Sequence, residues 1–507
     1  MDEQSPEQRH SAGRRRFARS GTDPFNSPMH RRDPAPPARS RSRACGRAVV
    51  LGGSIAGLMA ARVLSDHADE VVIIEADDLD AGVGARRGVP QSDQLHGLLD
   101  MGRVQFDRWF PGFSAELIAA GAELGEGAAL RMYIDGVEKV SVPDNTVISA
   151  TRPFIEGHLR RRMQQCDRVR WIHGRARGLD IDDTRVTGVR YSPAGSAATE
   201  TVSSDLVVDA TGRGSRLSDW VTKAGWPAPK TDRMDIDLGY ATALFRRGPE
   251  LGDVVAVHSL ASPVAPGQPQ ADSMAVSRVE DNRWIVVIAG YAEHRPTNDR
   301  EDFLRRLNAS EVSAFRTIAE SCTLLGEIDA YRMPHSRRTN FHQLDRFPGG
   351  LVAAGDAVAS FNPVYGQGMA SAALHASCLS AYLSSQPDLR QPAREYFKHV
   401  AVIVDAAWGV STMGDLALPH VQGPYPRGYR IAKFLGERIA RASIVDARVN
   451  ALFLDVIHMR RHPKVFSSPR ALLLVERGLR RRAVPQPHAT REQTGVRVPR
   501  TSNVMDM

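Results

Sequence analysis

No stretch of this sequence approaches the roughly 20 uninterrupted apolar residues that a membrane-spanning helix needs. The arginines near its start are followed by no apolar segment of the kind an export signal carries, so neither export nor a transmembrane segment is expected. Cysteine is scarce. Cys45, Cys166, Cys322 and Cys378 lie far apart and form no Cys-x-x-Cys pair. That spacing argues against a zinc cage and a disulfide framework, and reduced thiols in the cytoplasm are the simpler expectation. A His-Glu-x-x-His segment, a nucleophile motif and an internal repeat are missing too, so no metal site and no triad chemistry are indicated.

What the chain does have is apolar material for a large core: 507 residues, 42% of them apolar, make two or three domains' worth. Its formal charge of +8 raises the question of a polyanionic partner. Ten of the 66 Lys and Arg residues fall before Ala44, against five acids there. The basicity is therefore expected outside the fold, with no specific nucleic-acid partner. Residues 1–44 mix Arg with Pro, Ser and Gly without apolar periodicity and read as a disordered basic leader; residues 480–507 read as a disordered tail.

Between them, Arg47 to Leu51 is a short apolar strand, Ile55 to Ser65 a helix and Glu70 to Glu75 a second strand, a βαβ unit. Asp205 to Ala210 and Leu351 to Ala354 resemble further buried strands, each ending in a Gly-containing turn. Leu238 to Arg246, Ser273 to Arg278 and Trp284 to Gly290 are β-rich runs without long intervening helices, as an antiparallel sheet requires. After Gly368 the pattern turns helical, with helices expected over Ala393 to Ala407, Tyr429 to Arg441 and Ile444 to Met459.

The first strand runs into Gly52-Gly53-Ser54-Ile55-Ala56-Gly57, a Gly-x-Gly-x-x-Gly fingerprint with Ser54 in place of the second glycine. Gly52 permits a tight turn, small Ser54 still lets the backbone approach a pyrophosphate, and Gly57 lets the helix pack closely on the sheet. Phosphate charge would sit at the positive end of the helix. Glu75, closing the second strand, can accept hydrogen bonds from both ribose hydroxyls of an adenosine and would repel a 2′-phosphate. An isolated glycine pattern is often an ordinary turn; strand, helix, strand and acid together make the nucleotide reading specific, without separating FAD from NAD.

The separating run is Gly355-Asp356-Ala357 followed by Phe361-Asn362-Pro363-Val364-Tyr365-Gly366-Gln367-Gly368-Met369. It resembles the second FAD fingerprint of the aromatic-hydroxylase-like (class A) FAD-dependent monooxygenases, and is especially similar to that of bacterial epoxidases and hydroxylases of natural-product pathways. The resemblance covers roughly Arg47 to Gly423. It implies that Asp356 binds the ribityl chain of FAD, and that Pro363 and the Gly366 to Met369 turn lie beside the flavin ring. A Gly-rich turn opening a helix there would aim N–H groups at the part of the ring that carries negative charge when reduced. Arg86 and Gln91 resemble the cofactor-approaching loop after the second strand, and Arg152, before Pro153, the family's arginine beside FAD.

The resemblance implies an α/β fold. A Rossmann-like FAD-binding domain of the glutathione-reductase type spans residues 45–225 and 341–385, interrupted by a mainly antiparallel β substrate domain over 226–340. A helical C-terminal region follows over 386–479. It also implies a flavin C4a-hydroperoxide oxidant, formed with O2, that epoxidises or hydroxylates a lipophilic polyketide-like, terpenoid or aromatic molecule. No catalytic side chain is identified. Tyr240, Phe361 and Tyr365 are expected in the substrate pocket, with Phe245, Trp284 and Tyr291 as further aromatic candidates that are as easily core. His173, His294, His335 and His375 read as structural or solvated.

Aromatic hydroxylases have Asp-Gly where this chain has Thr211-Gly212, so NADPH or NADH is left open as reductant, directly or through a separate flavin reductase. Three other readings remain. A flavin halogenase lacks support because no Trp-x-Trp-x-Ile-Pro segment occurs. A geranylgeranyl-reductase-like enzyme, reducing a prenyl chain or other alkene, would share the FAD motifs. A nucleic-acid-binding protein would leave those motifs without a purpose.

Overall fold

A computed structural model describes residues 43–78, 95–262 and 272–481; Arg86 and Gln91 fall outside the described residues, as do most of the expected leader and tail. The chain opens with β1 (Cys45–Leu51), α1 (Ile55–Leu64) and β2 (Ala68–Glu75), then β3 (Gly97–Leu99), α2 (Asp100–Trp109), α3 (Phe113–Ala119) and β4 (Glu123–Glu126). It continues through β5 (Leu130–Ile134), β6 (Val137–Glu138), β7 (Thr146–Ser149), α4 (Arg152–Gln164), β8 (Val169–Ile181), β9 (Val186–Pro193), β10 (Glu200–Ser203), β11 (Leu206–Asp209) and α5 (Leu217–Lys223). The middle of the chain forms β12 (Thr231–Arg246), β13 (Ala256–Leu260), β14 (Ser273–Val279), β15 (Arg283–Tyr291), α6 (Arg300–Ala309), α7 (Ser313–Ser321) and β16 (Leu324–Thr339). β17 (Leu351–Ala353) and β18 (Ala359–Ser360) precede the helices α8 (Gly368–Ser384), α9 (Arg394–Asp415), α10 (Tyr429–Val445), α11 (Ala447–Ile457) and α12 (Pro469–Leu479).

One sheet has the order β10-β9-β8-β2-β1-β11-β17. From β8 to β17 its strands are parallel. Parallel strands covered on both faces are apolar throughout rather than alternating, and Val49, Val50, Leu51, Val71 to Ile73 and Leu206 to Val208 are fully buried. The register pairs Leu51 with Ile74 and Asp209, and Asp209 with Ala353. Gly52, Glu75, Ala210 and Ala354 therefore leave the sheet together at its carboxyl edge, where ligands bind in such sheets.

Two glycines permit the close packing at that edge. A Cβ on Gly57 would lie 1.8 Å from the Gly52 carbonyl oxygen, and one on Gly355, whose φ is +61°, 2.6 Å from the Ala56 Cβ. The first glycine lets α1 sit on β1; the second lets the turn after β17 meet the head of α1.

The second sheet has the order β18-β16-β12-β15-β14-β13-β5-β6 and is antiparallel except where β13 meets β5. It draws β5 and β6 from before residue 225 and β18 from after 341, so neither expected domain boundary confines it. Strand alternation divides its faces. Phe245 and Trp284, directly opposite each other, pack with Phe303 and Phe315 beneath α6 and α7. As pocket candidates they are corrected to core. Leu238, Tyr240 and Ala289 point the other way, into the large core shared with the first sheet.

α8 crosses behind α1 and α2, where Trp109 Nε1 donates to Ser377 Oγ at 2.9 Å. α9 runs to Asp415, two turns past the expected end at Ala407, because its last turns bury polar residues that break the apolar pattern: Ser411, Thr412 and Asp415. α10 to α12 enclose a small core of their own, Ile439, Ala442, Val449 and Val475. Within the fold the charge is unevenly placed. Residues 425–481 hold thirteen Lys and Arg against four acids, a net +9, while residues 44–424 sum to −8. The fold thus carries a net charge of only +1, most of the chain's net positive charge lies in the terminal segments as expected, and the fold's own positive charge gathers after residue 424.

Gly57→Ala should lower stability by about 3 kcal/mol or more, because the added methyl meets backbone rather than a movable side chain. Thermal unfolding checks this, with Gly436→Ala, where a Cβ meets nothing within 4 Å, as the control expected to be neutral or stabilising.

Candidate functional site

At the head of α1, Gly52 has φ +98° and its would-be Cβ would lie 2.7 Å from the Ala210 carbonyl oxygen, so the turn is open only to glycine. Glu75 stands beside it, with Oε2 accepting from the Gly53 N–H at 2.5 Å and Oε1 from the Asp77 N–H at 2.9 Å. Those bonds fix the carboxylate at the sheet edge. Ser54 precedes α1 without capping it. Its hydroxyl donates to Glu156 Oε2 at 2.7 Å and accepts from Arg152 Nη2 at 3.1 Å. Arg152 Nε is buried without a hydrogen-bond partner, and no acid lies in the first turn of α1. Glu156 Oε2 stands 3.7 Å from Arg152 Nε while its Oε1 pairs with Arg160 at 3.1 Å, so two guanidiniums and the helix end outweigh one carboxylate and leave a positive corner suited to phosphate.

The second loop is set by His375 on α8, whose Nδ1 accepts from the Gly355 N–H at 3.0 Å. Acceptance requires an unprotonated Nδ1, and burial pushes the imidazole down to about 3. His375 is structural, as expected from sequence, but it holds the turn that presents Asp356. Among the described residues no hydrogen bond reaches the Asp356 carboxylate. Burial raises its pKa, opposed by the guanidiniums of Arg152, Arg213 and Arg337. Arg213 is held by Ser360 Oγ at 2.6 Å and the His335 carbonyl at 3.2 Å, and Arg337 Nη2 donates to the Arg213 carbonyl at 2.5 Å. Tyr240 reaches the same cluster: the charges of Arg213, Arg152 and Asp356 all act on its phenol, and its ring lies 5.5 Å from that of Tyr331.

The third loop is tied by Asn362. Its Oδ1 accepts from the Val364 N–H at 3.0 Å, closing the turn, while Nδ2 donates to Tyr291 Oη at 2.9 Å and Asp415 Oδ1 at 2.6 Å. One amide thereby joins the turn, the second sheet and α9. Gly366 follows at φ +68°, and Gln367, instead of capping α8, donates to the Ile457 carbonyl at 3.1 Å. Pro363, Gly366 and Gly368 are exposed, Phe361 and Met369 are buried, and Tyr365 places its hydroxyl where a Cβ on Gly414 would stand.

A Cβ at Gly212, Gly214 or Gly368 would meet nothing within 4 Å. Space thus lies along the turn that carries Arg213, packed on the Asp356 turn, and at the α8 N-terminus. Together with the phosphate-suited corner and the carboxylates of Glu75 and Asp356, that donor and acceptor set can hold a dinucleotide extended across the carboxyl edge, from Glu75 to α8. Asp209, fully buried, accepts from the Thr211 hydroxyl at 2.6 Å and N–H at 3.0 Å and from Ser215 Oγ at 2.5 Å. The residue that replaces the family's aspartate is therefore engaged in shaping its own loop.

Sequence reasoning missed Asp415, Arg337 and Tyr331. No motif marks them, and only the fold brings them to the loops. Asp415 is fully buried, its Oδ2 has no hydrogen-bond partner, and burial lifts its pKa to about 7 against the pull of Asn362. Tyr291 and Tyr365 are the titratable groups facing it. A raised acid pKa means that this group's contribution to stability is present below about pH 4 and is lost as pH rises through about 7, by at most about 4 kcal/mol. Asp415→Asn retains an acceptor for Asn362 and removes the charge. Its melting temperature relative to the parent should rise between pH 5 and pH 8, by about 2 °C or more; a pH-independent difference would place the titration elsewhere.

Comparison with known proteins agrees with this geometry. Residues 47–387 match the FAD binding domain family. "Protein Rv3254" of Mycobacterium tuberculosis is 31% identical over 424 residues, spanning 80% of this chain and 88% of that protein. Among solved structures, the flavin-dependent brominase Bmp2 matches with a TM-score of 0.61 at 13% identity, over 85% of this chain and 99% of that one. The p-nitrophenol 4-monooxygenase PnpA from Pseudomonas putida matches with a TM-score of 0.58 at 16% identity, over 82% and 99%. At those identities the two structures speak to the fold, while the family match speaks to the cofactor. The chain belongs to the FAD binding domain family, and is an FAD-dependent oxidoreductase.

Proposed function

We propose that the protein epoxidises or hydroxylates a lipophilic small molecule, polyketide-like, terpenoid or aromatic, at the junction of its two sheets, with alkene epoxidation foremost. The observation that carries this reading is the meeting of the three loops at one sheet edge, facing Tyr240 from the second sheet. In this reading Glu75 accepts from the adenosine ribose, the Gly52 to Gly57 turn and Arg152 hold the pyrophosphate, and Asp356 accepts from the ribityl hydroxyls. Pro363 and the Gly366 to Met369 turn flank the flavin ring, with Arg86 and Gln91 approaching from the loop after β2. Bound FAD supplies the electrons that activate O2.

The protein's own part is binding, orientation and exclusion of water. The N–H groups opening α8 stabilise negative charge beside them without a titrating side chain. Tyr240, Phe361 and Tyr365 line an apolar pocket, and Asn362 keeps its floor in register with Tyr291 and Asp415. Exclusion of water by these rings favours transfer of oxygen to the substrate over its loss to solvent. The reductant is NADPH or NADH, acting directly or through a flavin reductase. Reduced cysteines fit a cytoplasmic location.

Glu75→Ala and Asp356→Ala should each weaken FAD binding by about tenfold or more, the worth of a hydrogen-bonded pair involving a charged group. Quenching of flavin fluorescence during reconstitution measures this, and affinity unchanged within twofold would show that the carboxylate does not touch the cofactor. The reaction class is tested by supplying 18O2 to the reduced enzyme with candidate alkenes and aromatics. One heavy oxygen per product is expected. Gain of two hydrogens without oxygen would instead establish an alkene reductase.

A further inference from the structure

The described residues include seven large apolar side chains that are exposed, and four of them, Tyr425, Ile431, Phe434 and Leu473, belong to the α10–α12 end of the molecule. α10 explains the clustering. Of its seventeen residues only Ile439, Ala442 and Ser443 are buried, all in its second half. The first half carries Ile431, Phe434 and Leu435 at helical spacing on one side, with Ile431 68% and Phe434 56% exposed. Arg438 pairs with Glu476 of α12, and Phe434 and Leu473 each lie one turn before that pair. Around them stand the exposed Arg427, Arg430 and Arg441, in the segment whose net charge is +9 on a body of −8.

We propose that this face of α10 and α12 docks on an anionic phospholipid surface. A helix that shows large apolar side chains to solvent, ringed by arginine and lysine, is built to lie in a membrane interface with its apolar side among the acyl chains and its bases at the headgroups. No helix of the described residues is long and apolar enough to cross a membrane, so the attachment is peripheral. Other occupants fit less well. Nucleic acid would take the charge but leave Ile431 and Phe434 in water. A two-fold contact between copies would set one strongly positive face against another. Residues 1–42 and 482–507 are themselves net positive, so like charge opposes their covering this face. The inference is independent of which molecule the enzyme oxidises, although a membrane is where a lipophilic substrate would be met.

The test is sedimentation of the full-chain holoenzyme with vesicles of phosphatidylcholine containing phosphatidylglycerol, and with phosphatidylcholine alone. Binding is expected only with the anionic vesicles, weakening as salt rises from about 0.1 to 0.5 M. The triple change Ile431→Ser, Phe434→Ser, Leu473→Ser should lower the vesicle affinity by about tenfold or more with FAD content and melting temperature retained. Arg427→Glu with Arg430→Glu should do the same at low salt. Failure of the parent to sediment with anionic vesicles at low salt would overturn the proposal. So would undiminished binding of the triple variant, which would assign the affinity to the basic termini. A parent dimer on gel filtration that the triple variant dissolves, without vesicle binding, would make a second copy the occupant.

Discussion

The close seating of α1 against the carboxyl edge of the first sheet is the constraint on which the rest depends. Gly57 lies so near the Gly52 carbonyl that no side chain fits, and Gly355 abuts Ala56 from the far end of the chain. Two missing side chains thus permit the close approach, backbone on backbone at Gly57 and backbone on the Ala56 methyl at Gly355, and the parallel register of β2, β1, β11 and β17 carries the other loops to the same place. The helix end that results is positive, and the surrounding side chains are arranged about it.

Those side chains form a layered polar structure. Glu75 is locked by backbone N–H groups, Ser54 and Arg152 by Glu156, Gly355 by a neutral His375, and the last turn by Asn362. Each loop is held by a partner from a different part of the chain. Asn362 reaches furthest, because its amide contacts β15 and α9 at once. Asn362 therefore ties the second sheet and α9 directly to the turn that precedes α8. Asp415 is the buried acid in that path, and its unpartnered oxygen is a costly feature of an otherwise satisfied interior.

The molecule is also polar at a larger scale. An acidic body holds the proposed cofactor and substrate sites, whereas the basic charge gathers on the last helices, beside the most exposed apolar side chains. The proposed cofactor site and the proposed docking face thus lie in segments of opposite net charge.

The sequence by itself determined the elements whose signals are local. The strand and helix about Gly52 to Gly57, the acid Glu75, the run from Gly355 to Met369 and the β-rich middle segment all lie where patterning placed them, because burial of parallel strands and glycine turns leaves its mark within a few residues. Only the tertiary structure decided which side chains meet. Phe245 and Tyr240 sit five residues apart on one strand, yet alternation sends the first under α6 and α7 and the second toward Asp356. β5 and β6 join a sheet whose other strands come much later, and α9 extends through polar residues that read as its end. Arg213, Arg337 and Arg152 converge on one carboxylate from three elements. Such meetings depend on strand parity, sheet order and long-range docking, which are properties of the packed chain and have no counterpart in the spacing of neighbouring residues.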